Sequence, residues 1–218
     1  MTAPTHLAML LADARLPTGG HAYSAGMEPA LTGGMPPGQA RDLLCARART
    51  TSRVEAGTAV VARHRVLHGE PLQPVQDAWA ARTPSPAVRD ASTAQARGYL
   101  RLARRLWPAA AFDDLPESPC RAVVLGVIAA AAVLPAADLV RLVTYDEAAT
   151  AAAALLKLDP RDPAETTEWI IDACAAAEPA VDEIAAVTDP AAVPASGAPH
   201  SEEWAQAHAR LTQRLFRA

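Results

Sequence analysis

The chain reads as an all-α protein, a single-domain bundle of about eight or nine helices with a tethered C-terminal helix. Three observations predict this. The 218 residues are 50% hydrophobic but only 4% aromatic, so the core must be built mainly from Ala, Leu and Val. Side chains of that size favour closely packed helices. Apolar residues recur at three- and four-residue spacing in nearly every segment, and no stretch shows the two-residue alternation of a half-buried strand. Proline and glycine mostly fall where such segments begin and end.

The elements follow in order. Thr5 can cap a short first helix carrying Leu7, Leu10 and Leu11, which stops before Pro17. A second helix starts after Gly19-Gly20 and ends at Gly33-Gly34, ahead of a turn rich in Pro and Gly. A long helix spans about Gln39 to Leu67, with Leu43, Leu44, Ala48, Thr51, Val54, Thr58 and Val61 as its apolar stripe, and Gly69 and Pro71 end it. A short helix runs from about Pro74 to Arg82. Ser85 caps the next, with Pro86 at its first position, and it reaches about Trp107. After a Pro-rich loop over 108–119 come an apolar helix over 120–134 and another from Pro135 to about Leu156. Asp162-Pro163 opens a helix that bends or restarts at Pro179. These define a domain over 1–188. Residues 189–199, rich in Pro and Ala, read as a flexible linker, and 200–218 as a C-terminal docking helix beginning at Ser201 and reaching about Leu215.

Composition narrows the functional classes. Of 20 basic residues only Lys157 is lysine, so part of the Arg and Ala excess reflects codon pressure. Residues 1–109 hold 13 Arg against 7 acidic residues, and 110–218 hold 7 basic against 17 acidic; the simpler reading is two solvated halves mixed by the fold, and the alternative is two docking faces of opposite sign. The arginines lack interleaved aromatics, which argues against nucleic acid. The longest apolar stretch, Ala122 to Ala137, contains Pro135 and is too short to span a bilayer, so no membrane role is expected. Cys45, Cys120 and Cys174 are far apart and form no Cys-x-x-Cys pair. Buried free thiols in a reducing compartment follow, and with no basic leader before Leu16 the expected location is the cytoplasm.

One segment interrupts the helical pattern: Leu16-Pro17-Thr18-Gly19-Gly20-His21-Ala22-Tyr23-Ser24-Ala25-Gly26-Met27-Glu28. Its glycines demand a particular backbone shape. A phosphate loop is excluded by the missing lysine and strand. A nucleophile built from Ser24 or Tyr23 with His21 lacks a strand-to-helix elbow, and adjacent helical side chains do not face one another. A small helical enzyme using Tyr23 and His21 remains an alternative. His64 and His68 share a helix face at four-residue spacing, a weak candidate metal pair with no third ligand in pattern. No catalytic residue and no cofactor are assigned. The tail Arg210-Leu211-Thr212-Gln213-Arg214-Leu215-Phe216-Arg217-Ala218 can form an apolar stripe edged by arginines, either packed on its own bundle or docked on a partner.

The Leu16-to-Glu28 segment resembles the N-terminal signature of the urease accessory protein UreF family. Arg89-Asp90-Ala91-Ser92 with Arg97 and Leu100 is similar to that family's Arg-x-x-Ser helix. Val124-Leu125-Gly126-Val127 is similar to its central buried helix, and Arg214-Leu215-Phe216-Arg217 to its terminal Arg-Leu-Phe-x-Ser. Several positions depart from the pattern. Ala22 and Ala25 stand where Ser and Gly are usual, and Ala218 replaces the last Ser. Ser118-Pro119-Cys120 stands in place of His-Pro, and Leu156-Lys157-Leu158-Asp159-Pro160 in place of a Pro-Leu-Gly-Gln stretch. The resemblance implies a divergent, all-helical, homodimeric and non-enzymatic protein. It implies binding to UreD (also called UreH), recruitment of the GTPase UreG with modulation of GTP hydrolysis, and delivery of nickel to apo-urease. The implied partner-binding residues are Pro17, Gly19, Gly20, Tyr23, Ser24, Gly26, Glu28, Arg210, Arg214, Leu215, Phe216 and Arg217. A generic helical adaptor unrelated to urease is the other alternative.

Overall fold

The computed structural model describes residues 4–216. Among them the chain forms eleven α-helices joined by turns, and no strand: α1 (Pro4–Leu11), α2 (Met27–Thr32), α3 (Ala40–Arg49), α4 (Thr51–His68), α5 (Gln73–Ala81), α6 (Pro86–Leu106), α7 (Arg121–Ala131), α8 (Ala136–Leu158), α9 (Pro163–Ala177), α10 (Val181–Ala185) and α11 (Pro199–His208). Nine of these have eight or more residues, in line with the all-α bundle read from the sequence.

Helices α4 and α7 form the centre. α4 is buried without a break from Ala56 to Ala62, and α7 from Arg121 to Ala130. They meet at Gly126, where a Cβ would lie 2.4 Å from the Ala59 carbonyl oxygen. Only glycine permits that backbone approach. One apolar cluster surrounds this pair and includes Trp79, Phe112, Ile128 and Leu134. A second lies between α2, α3, α8 and α9 and includes Met27, Leu44, Leu155, Trp169 and Phe216. The central and second clusters are joined by α8, whose 23 residues run past both.

Several starts match their sequence signals. Ser85 Oγ accepts from the Val88 amide at 3.4 Å and Pro86 opens α6. Asp162 accepts from the Ala164 amide at 2.9 Å and Pro163 opens α9. Gly69 ends α4 in the left-handed region.

Other boundaries differ from expectation. Thr5 lies inside α1 instead of capping it, and Leu10 faces outward while Leu7 and Leu11 are buried. The long helix expected over 39–67 is two, α3 and α4, broken at Thr50 (φ −125°, ψ −95°). Thr50 satisfies the end of α3 with its own hydroxyl, which donates to the Ala46 carbonyl at 2.8 Å. The helix expected to start after Gly19-Gly20 is preceded by a 3₁₀ turn, Gly20–Ala22, and starts, as α2, only at Met27. The helix expected to reach Leu215 ends at His208. Residues 209–216 leave the helical path as the Leu215 and Phe216 amides and the Phe216 ring find tertiary partners, which override helix propensity. Residues 189–199 lie against the body. Pro190 and Val193 are buried, and Arg82 donates to the carbonyls of Val193 and Ala191, both at 2.9 Å.

Candidate docking surface

The 16–28 segment owes its shape to three left-handed residues. Gly19 (φ 82°) starts the 3₁₀ turn, and Ala25 (φ 47°) with Gly26 (φ 81°) sets the entry to α2. Ala25 is a non-glycine in a region that L side chains resist, at the position where the family signature has glycine. The segment is seated on α6 at Gly98, where a Cβ would fall 1.9 Å from the Thr18 carbonyl oxygen. Gly98 is therefore part of the segment's platform.

Between the left-handed residues, Tyr23 is extended and buried, and Ser24 is fully buried. Met27 to Ala30 are buried as well, Glu28 included. A buried carboxylate needs partners, and the C-terminal tail provides them. The Leu215 amide donates to Glu28 Oε1 at 2.7 Å and the Phe216 amide to Oε2 at 2.8 Å. His208 Nε2, at the end of α11, stands 3.0 Å from Oε2. Phe216 inserts into the second core cluster, with the Lys157 ammonium 5.2 Å from its ring centroid. The turn, α8 and the tail enclose a cleft of about 210 Å³ lined by Gly20, His21, Tyr23, Tyr99, Lys157 and Phe216.

The structure thus brings the two sequence-predicted stretches together, though not as a row of presented side chains. Tyr23, Ser24, Glu28 and Phe216 are buried, and Gly19, Gly20 and Gly26 are half-buried. Pro17, Arg210, Arg214 and Leu215 are exposed, with Leu215 at 63% and the neighbouring Leu211 at 44%. Arg217 lies outside the described residues. The buried members hold the turn and tail together, and the exposed ones lie at their outer side. His64 and His68 stack with ring centroids 4.1 Å apart, and His68 Nδ1 lies 2.8 Å from the His64 carbonyl oxygen. Among the described residues no group of three or more His, Cys, Asp and Glu side chains is placed to hold a metal.

A second polar assembly was not singled out by sequence reasoning. Arg121, at the start of the apolar α7, is buried among carboxylates from two helices. Its guanidinium reaches Asp146 at 2.5 Å, Glu147 at 3.5 Å and Glu55 at 3.9 Å. Arg47 lies 3.6 Å from Glu147, Ser52 donates to Glu147 at 2.5 Å, and Trp79 Nε1 donates to Glu55 at 2.5 Å. Burial, then the charge of Glu147, pushes the Glu55 carboxyl up to about 7 against the pull of Arg121. Burial followed by Asp146 raises the Tyr99 hydroxyl to about 12. The available signal was weak: Glu55 sits one residue from Val54 on an otherwise apolar stretch, where a solvated carboxylate is unexpected.

The fold defines the class, an all-helical bundle with its tail clasped onto a glycine-shaped turn, and comparison with known proteins makes it specific. The UreF family model matches residues 36–174. The chain is 41% identical over 189 residues to the urease accessory protein UreF of Mycolicibacterium vanbaalenii, covering 84% of this chain and 88% of that protein. It is 41% identical over 195 residues to the urease accessory protein UreF of Mycobacterium marinum, covering 85% and 90%. It is 40% identical over 177 residues to that of Mycobacterium tuberculosis, covering 78% and 82%. The chain belongs to the UreF family of urease accessory proteins. The matched model span leaves out both the 16–28 turn and the tail.

Proposed function

We propose that this chain is a non-catalytic scaffold of urease maturation, docking UreD (UreH) through the surface made by the 16–28 turn and the C-terminal tail. The complex then recruits UreG, modulates its GTP hydrolysis, and delivers nickel to apo-urease in the cytoplasm, with the chain acting as a homodimer. The observation that carries this reading is the clasp at Glu28. It joins the two stretches in which the sequence resembles the family signature, and it leaves Leu211, Arg214 and Leu215 exposed at their junction. Family membership weighs against the generic adaptor and the small enzyme.

The test is co-expression with UreD and UreG followed by sizing of the complex. A Leu211→Asp/Leu215→Asp variant alters only exposed side chains, so it is expected to keep the helical circular dichroism of the parent and to lose co-elution with UreD. Tyr23→Ala and deletion of 210–218 should lose it too. Co-elution of all three variants with UreD would overturn the assignment of the surface. GTP turnover by UreG, compared with and without the chain, tests the modulation.

A further inference from the structure

The exposed side of α6 carries Arg97, Arg101, Arg104 and Arg105. At 100° per residue they fall within an arc of about 100°, and at 1.5 Å per residue they span about 12 Å along the axis. The opposite side, with Ser92, Ala96, Tyr99 and Ala103, faces the core. None of the four arginines has an ion pair or side-chain hydrogen bond among the described residues. Several other arginines are tied down: Arg89 of the same helix donates to the Thr83 and Pro84 carbonyls, Arg63 to the Leu134 carbonyl, and Arg141 pairs with Glu178.

This array works against the helix that bears it. Arg97 and Arg101, and Arg101 and Arg105, are like charges four residues apart, an arrangement that repels. The negative end of the helix favours Arg104 and Arg105 in the last turn, but Arg97 and Arg101 lie too far back to benefit. Asp90 is the single acidic residue in α6. Asp113, Asp114 and Glu117 of the following loop are exposed and make no ion pair with the stripe. The repulsion would be relieved by carboxylates brought from outside.

We infer that the exposed face of α6 is a docking surface for a partner protein presenting a row of carboxylates, separate from the turn and tail. Charge complementarity points to the partner's sign. The stripe itself holds no exposed aromatic on which a base could stack, which disfavours single-stranded nucleic acid. Guanidiniums suit carboxylates because each can bind one through two parallel N–H donors.

The experiment uses the full chain and a fluorescein-labelled alanine-based helical peptide carrying four glutamates at three- and four-residue spacing, read by anisotropy. A DNA duplex of equal charge serves as a competitor. The peptide should bind at low salt and weaken as salt rises. Arg97→Glu/Arg101→Glu/Arg104→Glu should lose about tenfold in affinity, whereas Arg49→Glu, exposed on α3, should lose less than about twofold. Equal binding by the triple variant, or tighter binding of the duplex than of the peptide, overturns the inference. A triple Arg→Gln variant supplies an independent readout. Relief of repulsion leaves its melting temperature equal or higher, and a lower one would show that the arginines serve the fold itself, which also overturns it.

Discussion

Glu28 is the residue on which the two ends of the chain converge. One carboxylate accepts the amides of Leu215 and Phe216 and faces His208, so a single side chain fixes the course of the tail. Charge-assisted bonds of this kind are stronger than neutral ones because the acceptor carries a full charge. Glu28→Ala should therefore release residues 209–216 while leaving the remaining helices folded, at a cost of about 2–3 kcal/mol. Limited trypsin digestion reads this directly, since Arg210 and Arg214 lie in the released stretch. Cleavage there should accelerate by at least about tenfold for a loss of that size. Unchanged cleavage would mean that Phe216 alone anchors the tail. The sequence marked Glu28 as part of a signature but not its role, because its partners are main-chain amides some 187 residues away and an amide carries no sequence label.

The elements show a similar division between local and long-range determinants. Helix starts written by a side chain and a proline, such as Ser85-Pro86 and Asp162-Pro163, were legible because the cap and its amide are neighbours in sequence. The early end of α11 and the burial of Tyr23 were not, since each depends on partners distant in sequence, and the break at Thr50 carries no proline or glycine to mark it. The end of α7 is instructive. The helix stops at Ala131, and Val133 (φ 56°) takes the left-handed position usually given to glycine. The Leu134 amide donates to the Ala129 carbonyl and the Val133 amide to that of Ala130, so the backbone turns tightly without the residue that suits it. Val133 is 57% exposed, so little packing would be lost on replacement. Val133→Gly should stabilise the protein by about 1 kcal/mol, because relief of the strained branched side chain outweighs the greater freedom of glycine when unfolded. A higher urea midpoint at unchanged slope checks it. A lower midpoint would show that the valine side chain contributes packing that its exposure does not reveal.

At the scale of the whole molecule, the assembly around Arg121 ties α3, α4, α5 and α8 to the start of α7, so its charge state bears on the stability of the entire bundle. Three carboxylates, Glu55, Asp146 and Glu147, face two guanidiniums, Arg121 and Arg47, with Trp79 donating to Glu55. One negative charge is in excess, and it is Glu55 that keeps its proton, with a pKa raised from 4.5 to about 7 chiefly by burial and then by Glu147. In the unfolded chain Glu55 loses its proton near the ordinary value. Between the two values the folded state holds the proton more tightly, so stability falls as pH rises. The benefit of the protonated carboxyl is complete below about pH 4.5 and gone above about pH 7, a change of up to about 3 kcal/mol. Glu55→Gln keeps an oxygen for Trp79 and cannot ionise. Its stability should match the parent near pH 5 and exceed it at pH 8, with a flatter profile between. Urea midpoints of both proteins across that range decide the matter. Parallel profiles would show that Glu55 is ionised in the fold at both ends and that the excess charge is borne elsewhere in the assembly.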